Sequence, residues 1–250
     1  MTTTAIDVTG IQSLSRPEAM KLAATEYERF VDLLRGLAPG DWSRPTECPD
    51  WDVADMVRHV LGAAEAHASM RENVHQMRAA RREPGPLVDG LGIVQIRDRA
   101  ELTPAELVER LDRAAPRSVR ARRRMPAPIR ALRMKVDAPF QWGGEKWRLG
   151  YLLDVIYTRD TWMHRVDISQ VADREMVMTS DHDGRLVADV VAEWARRHGQ
   201  PFTLTLTGPA GGTYSAGDGG EQLELDPVEF CRILSGRASG AGLLSTEVPF

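Results

Sequence analysis

Cysteine is scarce. The 250 residues hold two, Cys48 and Cys231, far apart and outside any Cys-x-x-Cys spacing. That excludes a disulfide framework and reads as two small residues of a reducing compartment. A long apolar run is missing too, so no segment is suited to spanning a bilayer, and the opening MTTTAIDVTGIQ lacks the basic-then-apolar pattern of a secretory leader. No internal repeat is visible. The expectation is a soluble cytoplasmic protein without a membrane partner.

Charge excess is also missing. Lys and Arg number 32 against 36 Asp and Glu, for a net charge of −4, which gives no overall reason to expect nucleic acid or an anionic surface as partner. The exception is local. Arg117, Arg120, Arg122, Arg123, Arg124, Arg130 and Arg133 crowd one region. We read them as a solvated helix face or a connector in preference to a phosphate-binding patch.

What is present is helical periodicity followed by a change of character. Ser15-Arg16-Pro17-Glu18 predicts a helix start, with Met20, Ala24, Tyr27, Val31 and Leu34 inward and Pro39-Gly40 beyond its end. Asp52 is placed to cap a second long helix, Val53 to about Arg81, and residues 83–92 read as a loop. Thr103-Pro104-Ala105-Glu106 is a capping box for a third helix. Residues 116–134 read as broken helix because of Pro126 and Pro128, and 139–144 as a loop. A fourth helix follows from Leu149 to Ser169. Four main helices with long connections make a bundle. After about residue 178 come one more helix to His198, an alternating strand at Phe202–Thr207, short strands near Tyr214 and Leu223–Leu225, and a helix through Phe230 and Leu234. The expected fold is mainly α with a smaller α+β part: a bundle domain over 1–177 and a small α+β domain over 178–250.

The fourth helix carries the chemistry. Leu149, Leu152, Leu153 and Ile156 recur at helical spacing, and the same face continues through Asp160, Met163, His164 and Asp167. Carboxylates and an imidazole on a core face cost several kcal/mol, roughly, unless each finds a partner. Asp160 and His164, four apart, can both point at one divalent metal. His59, beside the apolar stripe of the second helix, is the natural third ligand. Two histidines, one aspartate and an open fourth position suit a catalytic zinc site, and the same donors accept nickel, iron or manganese. Asp167 reads as a residue that orients a ligand. His67, His75, His182 and His198 read as ordinary histidines.

Two stretches carry a family resemblance. Cys48-Pro49-Asp50-Trp51-Asp52-Val53 running into Val57-Arg58-His59-Val60-Leu61-Gly62, and Thr161-Trp162-Met163-His164-Arg165-Val166-Asp167-Ile168, resemble the two signatures of the mycothiol-dependent maleylpyruvate isomerase family of the DinB-like superfamily. The ending Gly242 to Phe250 is similar to that of actinobacterial members. The resemblance implies a DinB-like four-helix bundle followed by a sterol-carrier-like α+β domain. It also implies a metal, usually zinc, on His59, Asp160 and His164, with Asp160 standing where the family has glutamate.

Mycothiol, a small thiol, would then be the co-substrate. The metal would lower its pKa, and the thiolate would attack a small electrophile, giving isomerase or S-transferase chemistry. Arg165 and Arg237 are candidates to hold a carboxylate of thiol or substrate, and Trp51 and Trp142 to wall the pocket. The expected partners are a low-molecular-weight thiol and a small-molecule electrophile, with no nucleic acid, in a monomer or homodimer. Two other readings stay open. One is a binding module with a structural or vestigial metal site closed by a fourth protein ligand, His67 or Asp167. The other is metal-dependent hydrolysis without a thiol.

Overall fold

The computed structural model describes residues 5–138 and 140–250. The polar start at 1–4 and Pro139 of the expected 139–144 loop lie outside the described residues. The chain divides into two compact units. A bundle unit takes 16–138 and Gly143–Glu175, and a smaller unit takes 5–15, Phe140–Trp142 and Met176–Phe250. The first strand, β1 (Ile6–Asp7), belongs with the smaller unit, where it lies parallel to a strand near the end of the chain. Nothing in a two-residue strand announces that pairing, and the sequence reading left these residues with the bundle.

The bundle unit opens with α1 (Arg16–Arg35) and continues with α2 (Val53–Ala68), α3 (Met70–Ala80), α4 (Leu87–Arg97), α5 (Pro104–Arg124) and α6 (Ala127–Arg130). Strands β2 (Arg133–Lys135) and β3 (Lys146–Arg148) form an antiparallel hairpin, and α7 (Leu149–Tyr151) leads through a π-helical turn, Leu152–Ile156, into α8 (Tyr157–Val171). α2 packs on α5 and α8, and α1 packs on the same two, which closes a four-helix ring. Tyr27, Phe30, Leu34, Val53, Met56, Val57, Val60, Leu61, Leu107, Leu111 and Ile168 share its core.

Local chemistry explains the starts. Asp52 accepts from Asp55 N–H at 2.8 Å to begin α2, and Thr103 and Glu106 complete the capping box of α5. Three expectations are corrected. The long helix over 53–81 is two helices, because Ser69 stops α2 and caps α3 by accepting from Glu72 N–H. The expected loop at 83–92 contains the start of α4. Its glycines are packing residues, since a Cβ at Gly90 would fall 2.5 Å from the Ala80 carbonyl oxygen. α5 runs straight through Pro116 to Arg124, so the expected break comes only at Met125.

The smaller unit adds α9 (Asp183–His198), β4 (Phe202–Leu206), β5 (Gly212–Ala216), β6 (Glu221–Leu225) and α10 (Pro227–Leu234). The sheet order is β1-β5-β4-β6, with β4 antiparallel to β5 and parallel to β6. Gly199 ends α9 at φ 64, a left-handed position that favours glycine. Trp194 packs edge-on to Phe202 and Phe230, and its indole N–H donates to the Leu243 carbonyl at 3.0 Å. The molecule is mainly α with a smaller α+β part. Among the described residues no helix is long and apolar enough to cross a membrane.

Candidate metal centre

Two helices and one loop deliver the site. His59 lies in the second turn of α2, held in register by the Asp52 cap and by close packing at Gly62. A Cβ at Gly62 would stand 2.5 Å from Gln95 of α4. Asp160 and His164 follow one another along α8. The π-helical turn before them has a visible cause. Arg122, buried on α5, donates from Nε to the Leu153 carbonyl at 2.8 Å and from Nη2 to Thr158 Oγ1 at 3.0 Å. With that carbonyl held by a guanidinium, Tyr157 N–H reaches back to Leu152.

The polar atoms converge. His59 Nε2 lies 3.5 Å from Asp160 Oδ2, and His164 Nε2 lies 3.3 Å from Asp160 Oδ1. Two ligands each about 2.0–2.1 Å from a tetrahedral metal stand roughly 3.3–3.4 Å apart, which is close to the separation of each histidine from the Asp160 carboxylate. Together they form one of the groups of side chains close enough to hold an ion. The Nδ1 of His59 is buried without a hydrogen-bond partner among the described residues.

Electrostatics ties the cluster together. Burial pushes the Asp160 carboxyl upward, but the facing His164 and His59 rings outweigh it and hold the group far below the usual carboxylate range. Burial pulls His164 down, yet Asp160, Asp167 and Cys48 outweigh it and raise the imidazole well above its ordinary value. Asp167, fully buried, meets the other face of the His164 ring, with Oδ2 3.2 Å from Nδ1. A carboxylate only accepts, so Nδ1–H donates to it and Nε2 is the nitrogen turned toward Asp160. Trp51 covers both rings, with centroids 5.0 Å from His59 and 6.2 Å from His164. Its loop is pinned by Thr46 N–H donating to the Trp51 carbonyl at 2.9 Å.

The sequence from residue 23 to residue 169, which contains every one of these donors, matches the family described as the mycothiol maleylpyruvate isomerase N-terminal domain. The chain belongs to that family. Its fold is similar to two crystal structures, one of a mycothiol-dependent maleylpyruvate isomerase and one of a histidine-to-alanine mutant of a mycothiol-dependent maleylpyruvate isomerase. For the first the identity is 17%, the TM-score 0.57, and 94% of each chain is covered. For the mutant the identity is 18% and the TM-score 0.57, with 94% of this chain and 93% of that one covered. No curated protein matches the chain.

The other anticipated residues have surroundings of their own. Arg165 points elsewhere in the family bundle. Its Nε and Nη2 donate to the two carboxylate oxygens of Glu26 at 2.6 and 3.0 Å, both groups buried. Two of its guanidinium nitrogens are engaged by that carboxylate. Trp142 lies in the smaller unit, stacked on Phe140 with centroids 4.8 Å apart. Arg237, half-buried, lies in the smaller unit too, directly after Gly236 at φ 80. His67 packs against Tyr157 at 4.1 Å with Nδ1 3.4 Å from Ser118 Oγ, and does not join the donor set. Sequence reasoning passed over Cys48 as a neighbour of His164 and Asp167. The signal was its place three residues before Trp51 in the same short loop.

Proposed function

We propose that this protein is a thiol-dependent isomerase or S-transferase for a small electrophile, with mycothiol as the thiol and zinc as the metal in its bundle unit. The observation that carries the reading is the convergence of His59 Nε2 and His164 Nε2 on the two oxygens of Asp160, inside the segment matched by the family. A divalent cation bound there would acidify a thiol at its open position, so that thiolate is available at neutral pH.

The chain's own residues supply the rest. Asp160 brings the negative charge that draws a cation to the two imidazoles, and that cation would displace the proton His164 holds in its absence. Asp167, with Cys48 beside it, would hold the His164 Nδ1–H, leaving Nε2 to present its lone pair once a cation displaces the proton there. Trp51 shields one side of the rings from water. Asp167 faces Nδ1 and His67 is engaged with Tyr157 and Ser118, so neither serves as a fourth ligand, which favours an open site over a closed structural one.

The test has two stages. Elemental analysis of the tag-free protein should find about one zinc per chain, lost in His164→Ala. Turnover of an activated electrophile should then require added thiol. Metal without any turnover would support a binding module instead, and turnover without thiol would support hydrolysis by bound water.

A further inference from the structure

The β2–β3 hairpin carries a feature that the metal centre does not use. Its register sets Arg133 directly opposite Arg148, and Lys135 directly opposite Lys146. Residues two apart on a strand share a face, so all four cations stand on one side of the ribbon. All four are exposed, and none has an ion-pair partner among the described residues. Like charges directly opposite each other weaken a strand pair, and a two-stranded hairpin has little stability to spare. An anion seated against this face would remove the repulsion.

The same strand borders a cavity of about 450 Å³ within the bundle unit. Arg16, Arg130, Lys146 and Arg148 line it, and no carboxylate does. Two acids stand nearby, Asp154 engaged by Arg130 and Glu145 accepting from the Trp147 indole N–H at 2.8 Å, which leaves the four lining cations in excess. Trp147 and Tyr151, edge to face with centroids 5.3 Å apart, add an aromatic wall. Concave shape and this volume suit a small molecule. Arginine forks match the paired oxygens of phosphate and carboxylate groups. The net charge of −4 on the whole chain weighs against a polymeric anion.

We propose that this cavity and the adjoining cationic face of the hairpin bind a small organic polyanion. Its chemistry is two or more phosphate or carboxylate groups joined to a flat body that lies against Tyr151.

The test titrates ADP, citrate and inorganic phosphate into the full-length protein at low salt by calorimetry, with adenosine as the uncharged control. ADP should bind at least tenfold more tightly than phosphate, and adenosine should not bind. The double variant Lys146→Glu/Arg148→Glu should weaken ADP binding at least tenfold. Arg117→Glu/Arg120→Glu, which makes the same charge change on the exposed side of α5, should leave it within twofold. Lys135→Glu gives an independent reading, because it turns a like-charge pair into an opposite one. It should raise the melting temperature of the free protein and abolish the rise that ADP produces in the wild type. Absence of ADP binding at millimolar concentration would overturn the proposal. So would ADP binding no tighter than phosphate, or equal losses in the two double variants.

Discussion

Asp167 is completely buried, and its carboxylate accepts a hydrogen bond from His164 Nδ1–H at 3.2 Å, three residues away along α8. That contact decides which imidazole nitrogen is turned toward His59 and Asp160. Asp167→Asn keeps the shape and loses the charge, and an amide can turn its NH2 toward the ring and favour the wrong tautomer. Zinc affinity should fall roughly 10–100-fold, measured by competition with a chromophoric chelator, while the circular dichroism spectrum is unchanged. Unchanged affinity would remove Asp167 from the account of the site.

Asp160 should be the most sensitive position. Asp160→Asn removes the one negative charge between two imidazoles, and zinc should drop from about one equivalent to near none by elemental analysis. Asp160→Glu restores the residue that the family resemblance leads one to expect. The aspartate already reaches both Nε2 atoms, at 3.3 and 3.5 Å, so the longer side chain must fold back or displace a ring. It should retain the metal with an affinity within about tenfold of wild type, since charge and donor atom are kept. Loss of metal in Asp160→Glu would mean that the backbone of α8 is set for the shorter acid.

The Glu26–Arg165 pair makes a contrasting prediction, about stability and not about metal. Both groups are buried and joined by two hydrogen bonds. Glu26→Gln removes the negative charge that faces the buried Arg165 guanidinium, so it should cost about 3–5 kcal/mol in urea unfolding. The double variant Glu26→Leu/Arg165→Met should recover much of that loss and still bind metal. A single-variant cost below about 1 kcal/mol would show that the pair is better solvated than its burial indicates.

What the sequence disclosed follows from how local each cause is. Asp52, Thr103 and Glu106 act within one turn of backbone, and the helices they cap begin where they predict. The Ser69-x-x-Glu72 cap is equally local, but the unbroken apolar rhythm around it masked the stop. Gly90 and Gly92 read as breakers because their reason, close approach to Ala80 and to the Trp51 ring, lies in other segments. The π-helical turn depends on Arg122 reaching the Leu153 carbonyl from another helix, and no spacing rule encodes that. The pairing of Asp160 with His164 could be read from helical spacing. Bringing His59 to them required the bundle, and the engagement of Arg165 by Glu26 appears only in three dimensions.

The last prediction concerns pH. His67 is held down to about 3, first by burial and then by the nearby Arg122 guanidinium. In the unfolded chain a histidine takes its proton near pH 6.5. Between those values the unfolded state binds a proton that the folded state refuses, so stability falls as pH falls. The contribution is complete above about pH 6.5 and is lost at up to about 1.4 kcal/mol per pH unit as the pH drops toward 3. Carboxylates titrate in the same window, so the informative quantity is the difference between wild type and His67→Gln, a neutral replacement able to bond Ser118. Urea unfolding at pH 7, 6, 5 and 4 should show the two curves converging, or crossing, as acid is added, with the wild type losing stability faster. Parallel curves would mean that His67 becomes protonated in the folded protein as readily as in the unfolded chain.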